Sequence, residues 1–150
     1  MKMIDYLQTI SVTYEEICQG ETPWIALGNF MNDWFDYARD RRSELVAAPI
    51  ILPENATAEE LRWATFCVAS VEWLCERYNV PCPLWVRNPT FRLTEPWFDS
   101  PGADRLEMRQ RLIRQTPEPF TRRNIFCGNR MFDNKYEFVE RYRRLSSVTL

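Results

Sequence analysis

Glu72 and Glu76 stand four residues apart in "VEWLCER", a spacing that puts both carboxylates on one face of a helix. Two carboxylates so placed can relay a proton or share a magnesium ion. Asp33 and Asp36 in "NDWFDY" make a second acidic pair, three residues apart. No further ligand spacing surrounds either pair, so the expectation for Asp33, Asp36 and Glu76 is a solvated helix face. Glu72 differs, because Val71, Trp73 and Leu74 flank it. If buried it needs a cation, since an unpaired buried carboxylate is costly. The third constellation is basic: "PFTRRNIFCGNR", residues 119–130, holds Arg122, Arg123, Asn124 and Arg130 around an apolar Ile-Phe-Cys. Arg122 or Arg123 is the expected partner of Glu72. The segment reads as a clamp with Ile125 and Phe126 inserted in the core. The alternative is an anion-recognition surface made by its arginines, and a rigid clamp can serve as both.

Other chemistry is excluded by what is missing. The chain has no histidine, which removes Ser-His-Asp and Cys-His catalysis and the usual neutral-pH base. Five cysteines, without a C-x-x-C, read as buried free thiols rather than a zinc site. Four glycines leave no phosphate-cradling loop. No catalytic residue, metal or cofactor is therefore assigned. A histidine-independent carboxylate or metal enzyme is kept as an alternative.

Charge is unevenly spread. Residues 1–100 carry 8 basic and 15 acidic side chains, and residues 101–150 carry 11 and 6. An Arg-rich C-terminal third packing on an acidic N-terminal part explains this most simply. A basic surface for nucleic acid or for an acidic partner is the alternative. No apolar run approaches a membrane span, and "MKMIDYLQTISVTYEE" lacks the apolar core of a signal peptide, so a cytosolic location and no membrane partner are expected.

These side chains need elements to hold them. At 150 residues, with 21 aromatic side chains, the chain is long and apolar enough for one domain. The clearest element starts at Thr57, whose capping box with Glu60 opens a helix that Asn79 and Pro81 end. Its middle is apolar nearly all round, as a core helix must be. Other helices are expected at 3–9, from Thr13 to Gly20, and at 23–38 behind Thr22 and Pro23, where Gly28 invites a close helix contact. More follow at 41–47 behind Asp40, at 101–115 with Leu106, Leu112 and Ile113 inward, at 117–121 and at 133–145. Four prolines keep 79–100 irregular, with Trp85, Phe91, Trp97 and Phe98 as anchors. Trp85 and Trp97 are also candidates for lining an aromatic binding groove. The reading is a single compact, orthogonal-type all-α domain, 1–150, of about five to seven helices.

The fragments "ALGNFMNDWF", "EWLCERYNVPCPLWV", "PWF", "TPEPF" and "RRNIF", in that order, resemble an uncharacterised bacterial all-helical domain. That domain occurs alone or next to helix-turn-helix DNA-binding modules, sometimes in toxin–antitoxin-like gene settings. The resemblance implies no catalytic residues, and residues 1–22 are too short for a helix-turn-helix. The functional expectation is a non-enzymatic interaction or regulatory module, antitoxin-like, with a protein partner. Nucleic-acid association through the Arg-rich third is the alternative. Oligomeric state is not legible.

Overall fold

The structure, a computed structural model, describes residues 6–148. It is mostly helical, and α4 (Ala58–Arg77) is its axis. Thr57 accepts from the Glu60 backbone N–H, and Glu60 accepts in return from the Thr57 N–H, which fixes where α4 begins. Asn79, at φ 58°, turns the chain out of the helix. Every residue from Trp63 to Val71 is buried, so α4 is enclosed on more than one side. Phe66 sits at the centre of a ring cluster with Trp24, Trp63, Trp97, Phe120 and Phe132 around it.

The N-terminal elements wrap one side of this axis. α1 (Ile10–Cys18) and α2 (Pro23–Asn32) pack on each other, and α1 also packs on α4. The Tyr14 hydroxyl donates to the Glu60 carbonyl at 2.9 Å. Three expectations change here. The helix at 3–9 is absent from residues 6–9, and residues 1–5 lie outside the described residues. The cap of α1 is Thr9 rather than Thr13: Thr9 Oγ1 accepts from the Val12 N–H, and Thr13 bonds back to the Thr9 carbonyl from inside the helix. No side chain presses on Gly28, where a Cβ would meet open space.

The long amphipathic helix expected at 23–38 breaks at Asn32 into a π-helical turn, Asp33–Tyr37, followed by a 3₁₀ turn, Arg39–Arg41, and α3 (Arg42–Ala47). Ala38 donates to the Asp33 carbonyl five residues back, at 2.8 Å. The wider turn rotates Asp33 inward, so this carboxylate is buried rather than solvated. It accepts from the backbone N–H of Gln8 at 2.8 Å. The buried Gln8 amide in turn reaches Thr13 and Glu16, so the chain entry is held by polar bonds. Asp40 lies inside the 3₁₀ turn and does not cap α3.

Beyond α4 the chain is irregular to residue 100, save for a 3₁₀ turn at Leu84–Arg87 and a two-residue strand, β1 (Trp97–Phe98). β1 pairs in parallel with β2 (Ile125–Phe126), Trp97 opposite Ile125 and Phe98 opposite Phe126. α5 (Leu106–Gln115) and α6 (Glu118–Thr121) lie between the two strands, and α7 (Lys135–Val148) comes last. α5 starts five residues later than the sequence suggests, after turns through Gly102 at φ 75°. It meets the body mainly at β2, so Leu112 alone is buried. Leu106 and Ile113, expected inward, are exposed. Among the described residues no helix is long and apolar enough to cross a membrane.

The ring cluster and the α4 cap set the scale of stability. Phe66→Ala is expected to lower unfolding free energy by about 3–5 kcal/mol, and Thr57→Ala by about 1 kcal/mol. Urea denaturation followed by circular dichroism measures both; equal effects would show that Phe66 is not the centre of the core.

Candidate functional site

The basic segment 119–130 lies against the face of α4 that carries Glu72. α6 ends at Thr121, and the next turn places Arg122 and Arg123 side by side. Arg123 is almost wholly buried. Its guanidinium donates to the Pro119 carbonyl at 2.7 Å, to the Val86 carbonyl at 3.1 Å and to Glu72 Oε1 at 3.4 Å. Arg122 meets Glu72 Oε2 and lies 3.7 Å from Glu118, with about half of its side chain exposed. One carboxylate thus serves two guanidiniums. Burial lowers the pKa of both arginines, and the neighbouring Arg123 charge adds to the effect on Arg122. Both remain cations at neutral pH, as arginine does in proteins.

Asn124 continues the clamp. It takes a left-handed backbone, φ 67°, which asparagine tolerates well. Its side-chain amide donates to the Leu93 carbonyl at 2.7 Å, and its carbonyl accepts from the Trp97 N–H at 2.8 Å. The Leu93 N–H donates to the Arg123 carbonyl at 3.1 Å. Residues 123 and 124 therefore satisfy backbone groups at Leu93 and Trp97 of the irregular segment. The Phe98 and Phe126 rings stack at 4.8 Å, with Arg109 over Phe98. Past this point the Gly128 N–H donates to Thr116 Oγ1 at 2.7 Å. Arg130 is exposed and 3.6 Å from Asp133.

The candidate residues therefore divide. Glu72, Arg122, Arg123 and Asn124 come together and are occupied with one another and with backbone. Trp85 is half-buried and donates its indole N–H to the Val46 carbonyl at 3.0 Å. Trp97 packs edge-on against Trp63 at 5.1 Å, with Arg62 above it. Both tryptophans are engaged in packing. Glu76 is exposed while Glu72 is turned to its arginines, and Asp36 is exposed while Asp33 is held by Gln8.

The cysteines correct a further expectation. Cys67 and Cys75 are buried and Cys18 and Cys127 partly so, but Cys82 is exposed. Burial pushes the Cys75 and Cys127 thiols up to about 12, and raises Cys67 and Cys82 as well. A protonated thiol is a poor nucleophile.

A different surface stands out where α7 meets the C-terminal end of α4. α7 is fastened near its start: the Tyr136 hydroxyl donates to Asn32 Oδ1 at 3.0 Å, and Glu137 accepts from the Tyr78 hydroxyl at 2.7 Å and from the Asn134 amide at 2.9 Å. Burial, and next the Glu137 contact, push the Tyr78 phenol up to about 12. Tyr136, Glu137 and Glu140 face Phe35, Arg39, Arg42 and Tyr78 of the body. The opposite face carries Phe138 and Tyr142, 68% and 65% exposed, with Val139 beside them at 45%. α7 thus meets the body through Tyr136 and Glu137 of its first turn, every residue from Phe138 to Leu145 is exposed, and its apolar stripe faces outward. The four-residue step from Phe138 to Tyr142 is visible in the sequence. Which side meets the body is not, because Tyr136 and Glu137 are placed by partners 104 and 59 residues away.

Neither a protein-family model, a curated protein nor a solved structure matches the chain. The functional reading rests on geometry.

Removing Glu72 leaves a buried cation. Glu72→Ala is expected to cost about 3–5 kcal/mol in urea denaturation, and Glu72→Leu/Arg123→Met to recover at least half of that. If the double variant is as unstable as the sum of its two single ones, the two side chains are not coupled.

Proposed function

We propose that the chain is a non-enzymatic interaction module, regulatory or antitoxin-like in a bacterial cytosol, which binds another protein through the outward face of α7. The observation that supports this is the exposed apolar stripe of α7. An amphipathic helix normally buries its apolar stripe against its own core, and a contiguous exposed stripe marks an interaction surface. A 14-residue helix held to the body only near its start gains stability when its outward face is covered.

The clamp supports the same reading by subtraction. Of the arginines expected to recognise an anion, Arg122 and Arg123 are committed to Glu72, Pro119 and Val86, and Arg130 lies 3.6 Å from Asp133. Arg109 donates to the Ala103 carbonyl, and Arg144 pairs with Glu140. The exposed Arg111 and Arg114 of α5, with Arg141 and Arg143 of α7, favour the nucleic-acid reading.

Phe138→Asp/Tyr142→Asp is expected to abolish capture of the native-host partner by the tagged protein. Stability should change by no more than about 0.5 kcal/mol, since both side chains are exposed. Capture that survives the double change sinks the α7 reading. A DNA or RNA mobility shift at low salt that is lost in Arg111→Ala/Arg114→Ala replaces it with the nucleic-acid one.

A further inference from the structure

The chemistry of the partner follows from what surrounds the outward face of α7. On one flank lies a groove of about 280 Å³ between α7 and the C-terminal end of α4. Trp73 and Phe132, stacked at 5.5 Å, line it together with Phe138. Arg77, whose guanidinium lies 5.3 Å from the Trp73 ring centre, and Arg141 stand at its rim. The acids of this groove are already engaged: Glu137 by Tyr78 and Asn134, Asp133 by Arg130. On the other flank a groove of about 540 Å³ carries Arg39, Lys135 and Arg143 against Asp36 and Glu140, and Glu140 is paired with Arg144. Each flank carries three basic and two acidic side chains, so the apolar ridge runs between two borders of net positive charge. At 100° per residue, Arg141 and Arg143 fall on opposite sides of the Phe138–Tyr142 stripe.

A second copy of this chain fits poorly, because two such ridges packed face to face would set Arg141 and Arg143 against their own counterparts, and like charges opposed across an interface cost affinity. A small anion alone leaves the aromatic floor unused. A lipid surface matches the charge but not the concave grooves that flank the ridge. An acidic amphipathic segment matches all three features, with apolar anchors for Trp73, Phe132 and Phe138 and carboxylates for the borders.

We infer that α7 and the end of α4 form a cradle for an acidic amphipathic segment of a partner protein. The inference deepens the docking reading of α7 and rests on it.

Selection of a random peptide display library on the full chain tests both. The expected winners place apolar residues at helical spacing among Asp and Glu. In fluorescence anisotropy with the best synthetic peptide, Phe138→Asp and Arg77→Glu/Arg141→Glu should each weaken binding at least ~10-fold, about 1.4 kcal/mol. The charge-reversed variant should instead bind a copy of that peptide with Lys in place of its acids. Binding should also weaken as salt is raised. Neutral or basic winners, no winners, or indifference to the charge reversal overturn the inference while leaving α7 as a docking face if Phe138→Asp still abolishes binding. Acidic winners that ignore Phe138→Asp overturn the docking reading itself. Two further outcomes overturn the acidic-segment inference: a Phe138-dependent dimer in sedimentation, or Phe138-dependent association with phosphatidylglycerol vesicles.

Discussion

The guanidinium of Arg123 is the point on which the C-terminal half of the fold depends. Residues 79–100 cross the body with no helix longer than a single 3₁₀ turn, and their buried carbonyls need donors. Arg123 reaches three segments at once: α4 through Glu72, α6 through Pro119, and the 3₁₀ turn through Val86. Its own carbonyl takes the Leu93 N–H. Lysine could not substitute, because its single ammonium lacks the planar fork that spans several acceptors. Glu72 keeps this cation tolerable in the interior. The same carboxylate meets Arg122 and so fixes the turn that starts β2. Once β2 is placed, β1, the Phe98–Phe126 stack and α5 follow from it.

This network takes up only part of the charge gradient along the chain. The gradient reads in sequence most simply as a basic third packed on the acidic part before it. In the structure Arg123 alone, of the eleven basic side chains after residue 100, is buried. Arg122 and Arg123 close on Glu72, and Arg42, over the Trp34 and Tyr78 rings, donates to the Trp34 carbonyl. Arginines that composition alone would assign to a nucleic-acid surface hold loops against helices. What stays outside is broader: basic side chains along α5, at Arg130 and along α7 are all exposed.

How much was legible in the sequence depends on whether the cause was local. The α4 boundaries follow from Thr57, Glu60 and Asn79, and the all-α class follows from apolar periodicity. Those signals act within a few residues. The π turn at Asp33–Tyr37 could not be read, because 3.6-residue periodicity continues through it, and only the Gln8 backbone reveals why Asp33 turns inward. The β1–β2 pairing joins two short apolar pairs 28 residues apart, too short for any strand pattern. α5 shows the converse failure. Its apolar positions are periodic, yet periodicity gives a face and not a partner, so Leu106 and Ile113 stay in solvent. The candidate residues Glu72, Arg122, Arg123 and Asn124 were found together, but as a clamp. The outward face of α7 was not legible because Phe138 and Tyr142 look like ordinary core positions.

The orientation of α7 sharpens that last point. Tyr136 and Glu137 bind Asn32 and Tyr78, and these two bonds choose the side of α7 that meets the body. Rotating α7 by half a turn would bring Phe138 and Tyr142 inward, at the loss of both hydrogen bonds. It would also leave the Arg39, Arg42 and Arg77 charges around the end of α4 without the Glu137 and Glu140 carboxylates beside them. Hydrophobic burial is worth roughly 25 cal/mol per Å² and is non-directional, so it accepts any apolar neighbour. The polar contacts are directional and fit one arrangement only. They hold α7 in the orientation where its apolar side can be covered only from outside, which is how a stable fold keeps a sticky surface in a fixed place.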